Sequence, residues 1–176
     1  MMKNKVQNLG RTALDTALRI LSRRQTTVWK MKQRLQEKGF SPKDIDETIK
    51  RLLGWRYLDD RAYAISYIKS KEDRLSKKKI WIELLRAGIA KELATAVLEE
   101  FYSEEKENYN CIQLARKLWH EEDRKWERKY KYSFKNKNIP KEVLIKKKVG
   151  DKLLLRGFLV STVKSVLGRI SEGEDF

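Results

Sequence analysis

One pattern recurs three times along this chain of 176 residues, and it constrains the fold before any single side chain is interpreted. A leucine stands four residues before a glycine, and an apolar residue follows the glycine. The copies are Leu35-Gln-Glu-Lys-Gly39-Phe40, Leu84-Leu-Arg-Ala-Gly88-Ile89 and Leu153-Leu-Leu-Arg-Gly157-Phe158. Apolar residues also recur eight before each glycine (Met31, Ile80, Val149), six after it (Ile45, Ala94, Val163) and ten after it (Ile49, Leu98, Leu167). Chance similarity among lysine- and leucine-rich helices is the alternative, but the number of matched positions favours a true repeat. Units this small cannot bury their apolar faces alone and must stack.

Each unit reads as helices punctuated by its glycine. An amphipathic helix runs into the glycine, which takes the left-handed conformation at low steric cost, and the apolar residue after it folds back on the last turn. The first helix of the chain carries Ala13, Leu14, Ala17, Leu18 and Leu21 and extends to about Arg24. Thr26 or Thr27 caps the next, which stops at Gly39; Ser41, Pro42 and Asp44 then open a third helix that ends at Gly54. In the second unit Asp59 and Ser76 are the caps, and the last helix turns Ala94, Val97, Leu98 and Phe101 inward. The third unit is stretched, since the glycine spacing grows from 49 (39 to 88) to 69 (88 to 157). Its first helix is expected to begin near Tyr109, and Gly150 to interrupt its second. The fold class is all-α: three tandem three-helix repeats over 10–56, 57–103 and 108–170, with an insertion near 121–138.

Two prolines and eight glycines are too few turns for a many-stranded protein. Cys111 and His120 are the sole residues of their kinds, so zinc sites built from several of them are excluded by count. Nine residues apart in one helical stretch, they fall on nearly opposite faces and make a poor nucleophile pair. A lone cysteine fits a reducing compartment. No apolar run is long enough to span a bilayer, and Met1 to Leu9 lacks a signal peptide's apolar stretch, so a soluble, cytoplasmic protein is expected.

Lys and Arg number 41 against 25 Asp and Glu, a formal excess of +16. Such an excess speaks of partners rather than of fold, and nucleic acid is the commonest polyanion. The charge gathers on the helix leading into each glycine: Lys30, Lys32, Arg34 and Lys38; Lys77, Lys78, Lys79 and Arg86; Lys146, Lys147, Lys148, Lys152 and Arg156. Stacked units would line these helices along one side and release counterions from a rod-like polyanion. Any one lysine is better explained as the solvated face of its helix; the threefold recurrence on equivalent helices is what favours a polyanion. A second cluster, Arg124 to Lys137, alternates Arg128, Lys129 and other bases with Trp126, Tyr130, Tyr132 and Phe134. Interleaving of this kind suits single-stranded nucleic acid. Trp126, Tyr130 and Phe134 lie four apart, however, which is also the spacing of a buried stripe.

No glycine-rich phosphate loop is present, and no cofactor or metal is expected. The pair Asp59-Asp60 suggests metal-assisted hydrolysis only weakly; adjacent carboxylates at a helix start more often serve as cap and dipole partner.

Ala17-Leu-Arg-Ile-Leu-Ser-Arg-Arg24, the Leu35 to Phe40 motif, Tyr57-Leu-Asp-Asp-Arg-Ala-Tyr-Ala64 and Ile80 to Ile89 resemble the RecX family, regulators of the bacterial RecA recombinase. The resemblance runs from about Ala13 to Ile170. It implies an elongated, non-enzymatic, monomeric modulator of RecA, mainly a negative one, lodged in the groove of RecA–DNA filaments and contacting single- and double-stranded DNA. Residues expected to meet DNA or the filament are Lys30, Arg34, Lys38, Lys77, Lys78, Lys79, Arg86, Arg128, Lys129, Lys146, Lys147, Lys148, Lys152 and Arg156. Arg56 and Ser76 replace common glycines of that family, and the third unit is longer and more aromatic. The residues alone also admit a stand-alone, sequence-independent DNA-binding architectural protein.

Overall fold

The computed structural model describes residues 12–129 and 140–171, and every described element is an α-helix. In chain order these are α1 (Ala13–Leu21), α2 (Val28–Glu37), α3 (Pro42–Gly54), α4 (Asp60–Lys71), α5 (Lys77–Arg86), α6 (Lys91–Phe101), α7 (Glu104–Lys129), α8 (Lys141–Leu155) and α9 (Val160–Ser171). The middle member of each consecutive triplet runs into one of the repeated glycines.

Starts and stops follow local chemistry. Thr12 and Asp15 form a capping box at α1. Thr27, not Thr26, caps α2 by accepting the Lys30 N–H at 3.2 Å. Ser41 accepts the Asp44 N–H with Pro42 at the first turn of α3. Asp59 accepts from Ala62, Ser76 from Lys79 and Ser103 from Lys106, opening α4, α5 and α7. Gly39, Gly88 and Gly157 have φ of +82°, +83° and +90°. The N–H of the residue after each bonds back to the leucine of the motif: Phe40 to Leu35, Ile89 to Leu84 and Phe158 to Leu153. This is the helix stop in which a left-handed residue lets the chain satisfy the last carbonyls.

Four sequence expectations need correction. α1 ends at Leu21 rather than near Arg24. α7 begins at Glu104, not near Tyr109, because Ser103 caps a polar first turn that has no apolar periodicity. Gly150 does not interrupt α8; it is buried mid-helix, and a Cβ there would lie 3.3 Å from Leu167 Cδ1, so it serves the close approach of α9. At the end of α6 the fully buried aromatic is Tyr102 rather than Phe101, with its hydroxyl donating to the Glu72 and Leu75 carbonyls.

The chain divides into two compact units, 1–67 with 83–97, and 68–82 with 98–176, so α4, α5 and α6 contribute residues to both. In the first unit α1, α2 and α3 pack on one another around Ala17, Met31, Leu35, Ile49 and Leu52. In the second, α7, α8 and α9 enclose Cys111, Leu114, Ala115, Leu118, Val149 and Leu153 with Val163 and Leu167. Burial pushes the Cys111 thiol up to about 12, helped by the Glu107 charge, so it stays neutral in a packed core. His120 is exposed on the same helix. Among the described residues no helix is long and apolar enough to cross a membrane.

Candidate nucleic-acid interface

The basic helices are positioned by a junction that occurs once in each unit. In the first unit the Thr27 hydroxyl donates to the Ala87 carbonyl at 2.6 Å, while the Val28 N–H donates to Asp60 Oδ1 at 2.9 Å. In the second, at positions 49 residues later, the Ser76 N–H donates to the Arg156 carbonyl at 3.1 Å and the Lys77 N–H to Glu107 Oε1 at 2.9 Å. The start of α2 thus sits on the elbow that ends α5, and the start of α5 on the elbow that ends α8. The contact is close. A Cβ on Gly88 would overlap Trp29 Cβ and lie 2.5 Å from its Cγ, and one on Gly157 would lie 2.9 Å from Lys79 Cβ. Each carboxylate meets the positive end of a helix that belongs to the preceding repeat. Burial raises the Asp60 carboxyl above its ordinary range, opposed by the Val28 N–H. Asp59 and Asp60 are therefore cap and helix partner; among the described residues no group of His, Cys, Asp and Glu could hold a metal ion. α8 differs, for its first turn follows Pro140 and has no side-chain cap.

These junctions use backbone, hydroxyl and Cβ atoms of the first turns of α2 and α5, so the cationic ends of the side chains on both helices are what a polyanion can reach. In the first unit Lys30 is half-buried with its ammonium 6.0 Å over the Tyr63 ring, Arg34 is half-buried, and Lys38 and Arg86 are exposed. In the second, Lys78 and Lys147 are exposed and Lys77 and Lys79 half-buried, none with an ion pair among the described residues. Lys146 Nζ contacts Ser171 Oγ at 3.2 Å, and Arg156 donates to the Lys152 carbonyl at 2.8 Å. Arg128 is exposed on α7; the Lys129 side chain lies outside the described residues. Counting from the glycines, Lys30, Lys79 and Lys148 share one register, whereas Arg34 and Lys152 align with Glu83. Glu83 accepts the Tyr67 hydroxyl, which is held neutral far above its usual range by burial and this bond. Only one register is basic in all three copies.

Sequence reasoning missed the carboxylate that organises α8. Glu122 on α7 is buried, with its side chain 5% exposed, and Lys125, Lys148 and Lys152 converge on it at 2.8, 3.5 and 2.5 Å. Hydrogen bonds from Lys125 and Lys152 lower its pKa to about 2. Lys148 and Lys152, expected at the interface, are thus partly neutralised from within. The polar run Glu121-Glu-Asp-Arg-Lys gives no periodic sign that its second member points inward.

Glu122→Gln removes that neutralisation, and duplex DNA affinity is expected to rise roughly two- to five-fold at low salt. A carboxyl depressed in the folded state stabilises it above the unfolded value near 4.5, and that contribution is lost as pH falls toward 2. Urea midpoints measured across that window should fall more steeply in the parent than in Glu122→Gln.

Of the aromatic cluster, Trp126 is half-buried beneath Lys141, whose ammonium stands 5.0 Å from the ring centroid and also bonds Asp123 and Glu127. Tyr130, Tyr132 and Phe134 lie outside the described residues.

The first helical triplet has a known counterpart: the family model described as RecX, first three-helix domain, matches residues 13–52. A Regulatory protein RecX from Caldanaerobacter subterraneus subsp. tengcongensis is 35% identical over 137 residues, which cover 75% of this chain and 69% of that protein. The chain belongs to the RecX family. A second RecX family member, from Thermus thermophilus, is 30% identical over 66% of this chain and 78% of its own length. The fold agrees as well: the crystal structure of RecX from Lactobacillus salivarius matches with a TM-score of 0.66 at 21% identity, over 91% of this chain and 95% of that one.

Proposed function

We propose that this chain is a non-enzymatic, cytoplasmic, monomeric modulator of the RecA recombinase, mainly a negative one. It lies in the groove of the RecA–DNA filament and restrains ATP hydrolysis, strand exchange and filament growth. Membership of the RecX family supports the partner. The observation that carries the mode of binding is the pair of junctions at Gly88 and Gly157. They hold α2 and α5 by their first turns and leave Arg34, Lys78 and Arg86 for phosphates or acidic protein surface. Several modest contacts made at once raise effective affinity, so no single strong site is required. Bridging protomers opposes the rearrangements that hydrolysis and exchange need.

An apolar cluster favours a filament over bare DNA as the target. Leu155, Leu159 and Val160 beside the Gly157 elbow are 77%, 64% and 56% exposed. Exposed apolar surface of this kind marks a protein-contact site. An architectural DNA binder would use it only as a wedge between base steps, a role that the comparison of bare with RecA-coated DNA separates. The test adds the protein to RecA on single-stranded DNA at low salt and follows ATP hydrolysis, with affinities for bare and RecA-coated DNA compared across a salt series. Inhibition, with a salt-resistant component of binding that requires RecA, is expected. Unchanged hydrolysis, with binding to bare DNA that salt abolishes, would return the chain to the architectural class.

A further inference from the structure

The turn between α3 and α4 is built unlike the other helix stops. Arg56 has a φ of +56°, the one left-handed non-glycine among the described residues. It closes α3 as the repeated glycines close their helices: its N–H bonds to the Leu53 carbonyl at 3.0 Å, and the Tyr57 N–H to Leu52 at 2.9 Å. Left-handed backbone is unfavourable for a residue with a Cβ, so this turn holds strain that a glycine would not. Its effect is to bring two flanking rings together. Trp55 and Tyr57 stand edge to face with centroids 6.0 Å apart, and they are 51% and 59% exposed. Leu52 and Leu58 on either side are buried, which fixes the platform to the core beneath.

The surrounding charge selects what such a surface takes. The nearby carboxylates are committed elsewhere: Asp59 to the Ala62 N–H, Asp60 to the Val28 N–H, and Glu47 to Arg51 at 2.8 Å. Arg56, between Trp55 and Tyr57 in sequence, and Lys50 on α3 are exposed and have no ion pair among the described residues. An exposed arginine flanked in sequence by two exposed aromatic residues matches single-stranded nucleic acid, whose bases stack while its backbone is neutralised.

We propose that Trp55 and Tyr57 form a stacking platform for unpaired bases of single-stranded DNA, with Arg56 facing the adjoining phosphate. The proposal rests on the nucleic-acid reading above and gives it a site that duplex DNA, with its bases already stacked, cannot use. It moves base stacking from the Trp126 segment to the α3–α4 turn.

The experiment measures binding of the full chain to a poly(dT) oligonucleotide and to a duplex of equal length, by fluorescence anisotropy, for the parent, Trp55→Ala/Tyr57→Ala and Trp55→Phe. Both rings are exposed, so the double variant keeps its core, and its circular dichroism should match the parent. Poly(dT) affinity is expected to fall about ten-fold or more, with duplex affinity within about two-fold and the salt slope unchanged, because every cation that meets a phosphate is kept. Trp55→Phe, which keeps a stacking face, should restore most of the loss. Equal losses on both nucleic acids, or no loss on poly(dT), overturn the platform. So does normal poly(dT) binding coupled to weakened capture of RecA-coated DNA, which would make the pair a protein contact. A parent that binds neither nucleic acid refutes the underlying nucleic-acid reading itself, an outcome distinct from a failure of the rings alone.

Discussion

Gly88→Ala and Gly157→Ala are expected to lower the thermal midpoint by about 10 °C or more, while Gly39→Ala lowers it by only a few degrees. All three glycines hold the same left-handed backbone, so alanine costs each about 1–2 kcal/mol of conformational strain. What differs is the space beside them. Nothing lies within 4 Å of a Cβ placed on Gly39, whereas one on Gly88 would overlap Trp29 Cβ outright. On Gly157 it would meet Ser76 Oγ at 2.5 Å and Lys79 Cβ at 2.9 Å. These are atoms at the root of side chains anchored in a helix, and they can yield only if the junction shifts, adding overpacking of roughly 1–3 kcal/mol. At this chain length each kcal/mol moves the midpoint by about 2–4 °C. Differential scanning calorimetry of the three variants separates the two terms, and equal midpoints would show that the elbows bear no tight contact.

Replacing Lys77, Lys78 and Lys79 together by alanine should produce the largest loss of DNA affinity. The substitution spares the architecture. The junction uses Lys79 Cβ and backbone and the Lys77 N–H, all of which alanine retains, and alanine is the best helix former. For every phosphate no longer neutralised, the slope of log K against log salt should shrink by about 0.9, up to ~2.7 for three. Affinity for duplex DNA near 50 mM salt should fall about ten-fold for each such phosphate. An unaltered slope, measured by anisotropy titrations from low to moderate salt, would relocate the polyanion surface away from α5.

Much of this fold is legible because its signals are local. Ser41-Pro42, Asp59 and Ser76 announce helix starts through hydroxyl or carboxylate oxygens, and the three glycines announce stops through a conformation few other residues tolerate. The misread features depend on tertiary surroundings. Gly150 reads as a breaker, yet α9 presses Leu167 against it, and a side chain there would separate the two helices. Tyr102 buries where Phe101 was expected, since two carbonyls near the end of α4 satisfy its hydroxyl. Composition locates the basic helices but not their pairing. Glu122 reads as one acid among many until three lysines are seen to close on it. The Trp55–Tyr57 pair escapes a periodic reading because Arg56 occupies a conformation that its identity does not advertise.

The junction bonds also impose an order on synthesis. The Val28 N–H and the Thr27 hydroxyl, near the beginning of the chain, find their partners in Asp60 and Ala87, which leave the ribosome only after α1–α3 have emerged. Ser76 and Lys77 wait in the same way for Arg156 and Glu107. Two helix starts are thus completed by later segments, so a nascent chain halted midway leaves its newest one to be satisfied by water until the partner arrives.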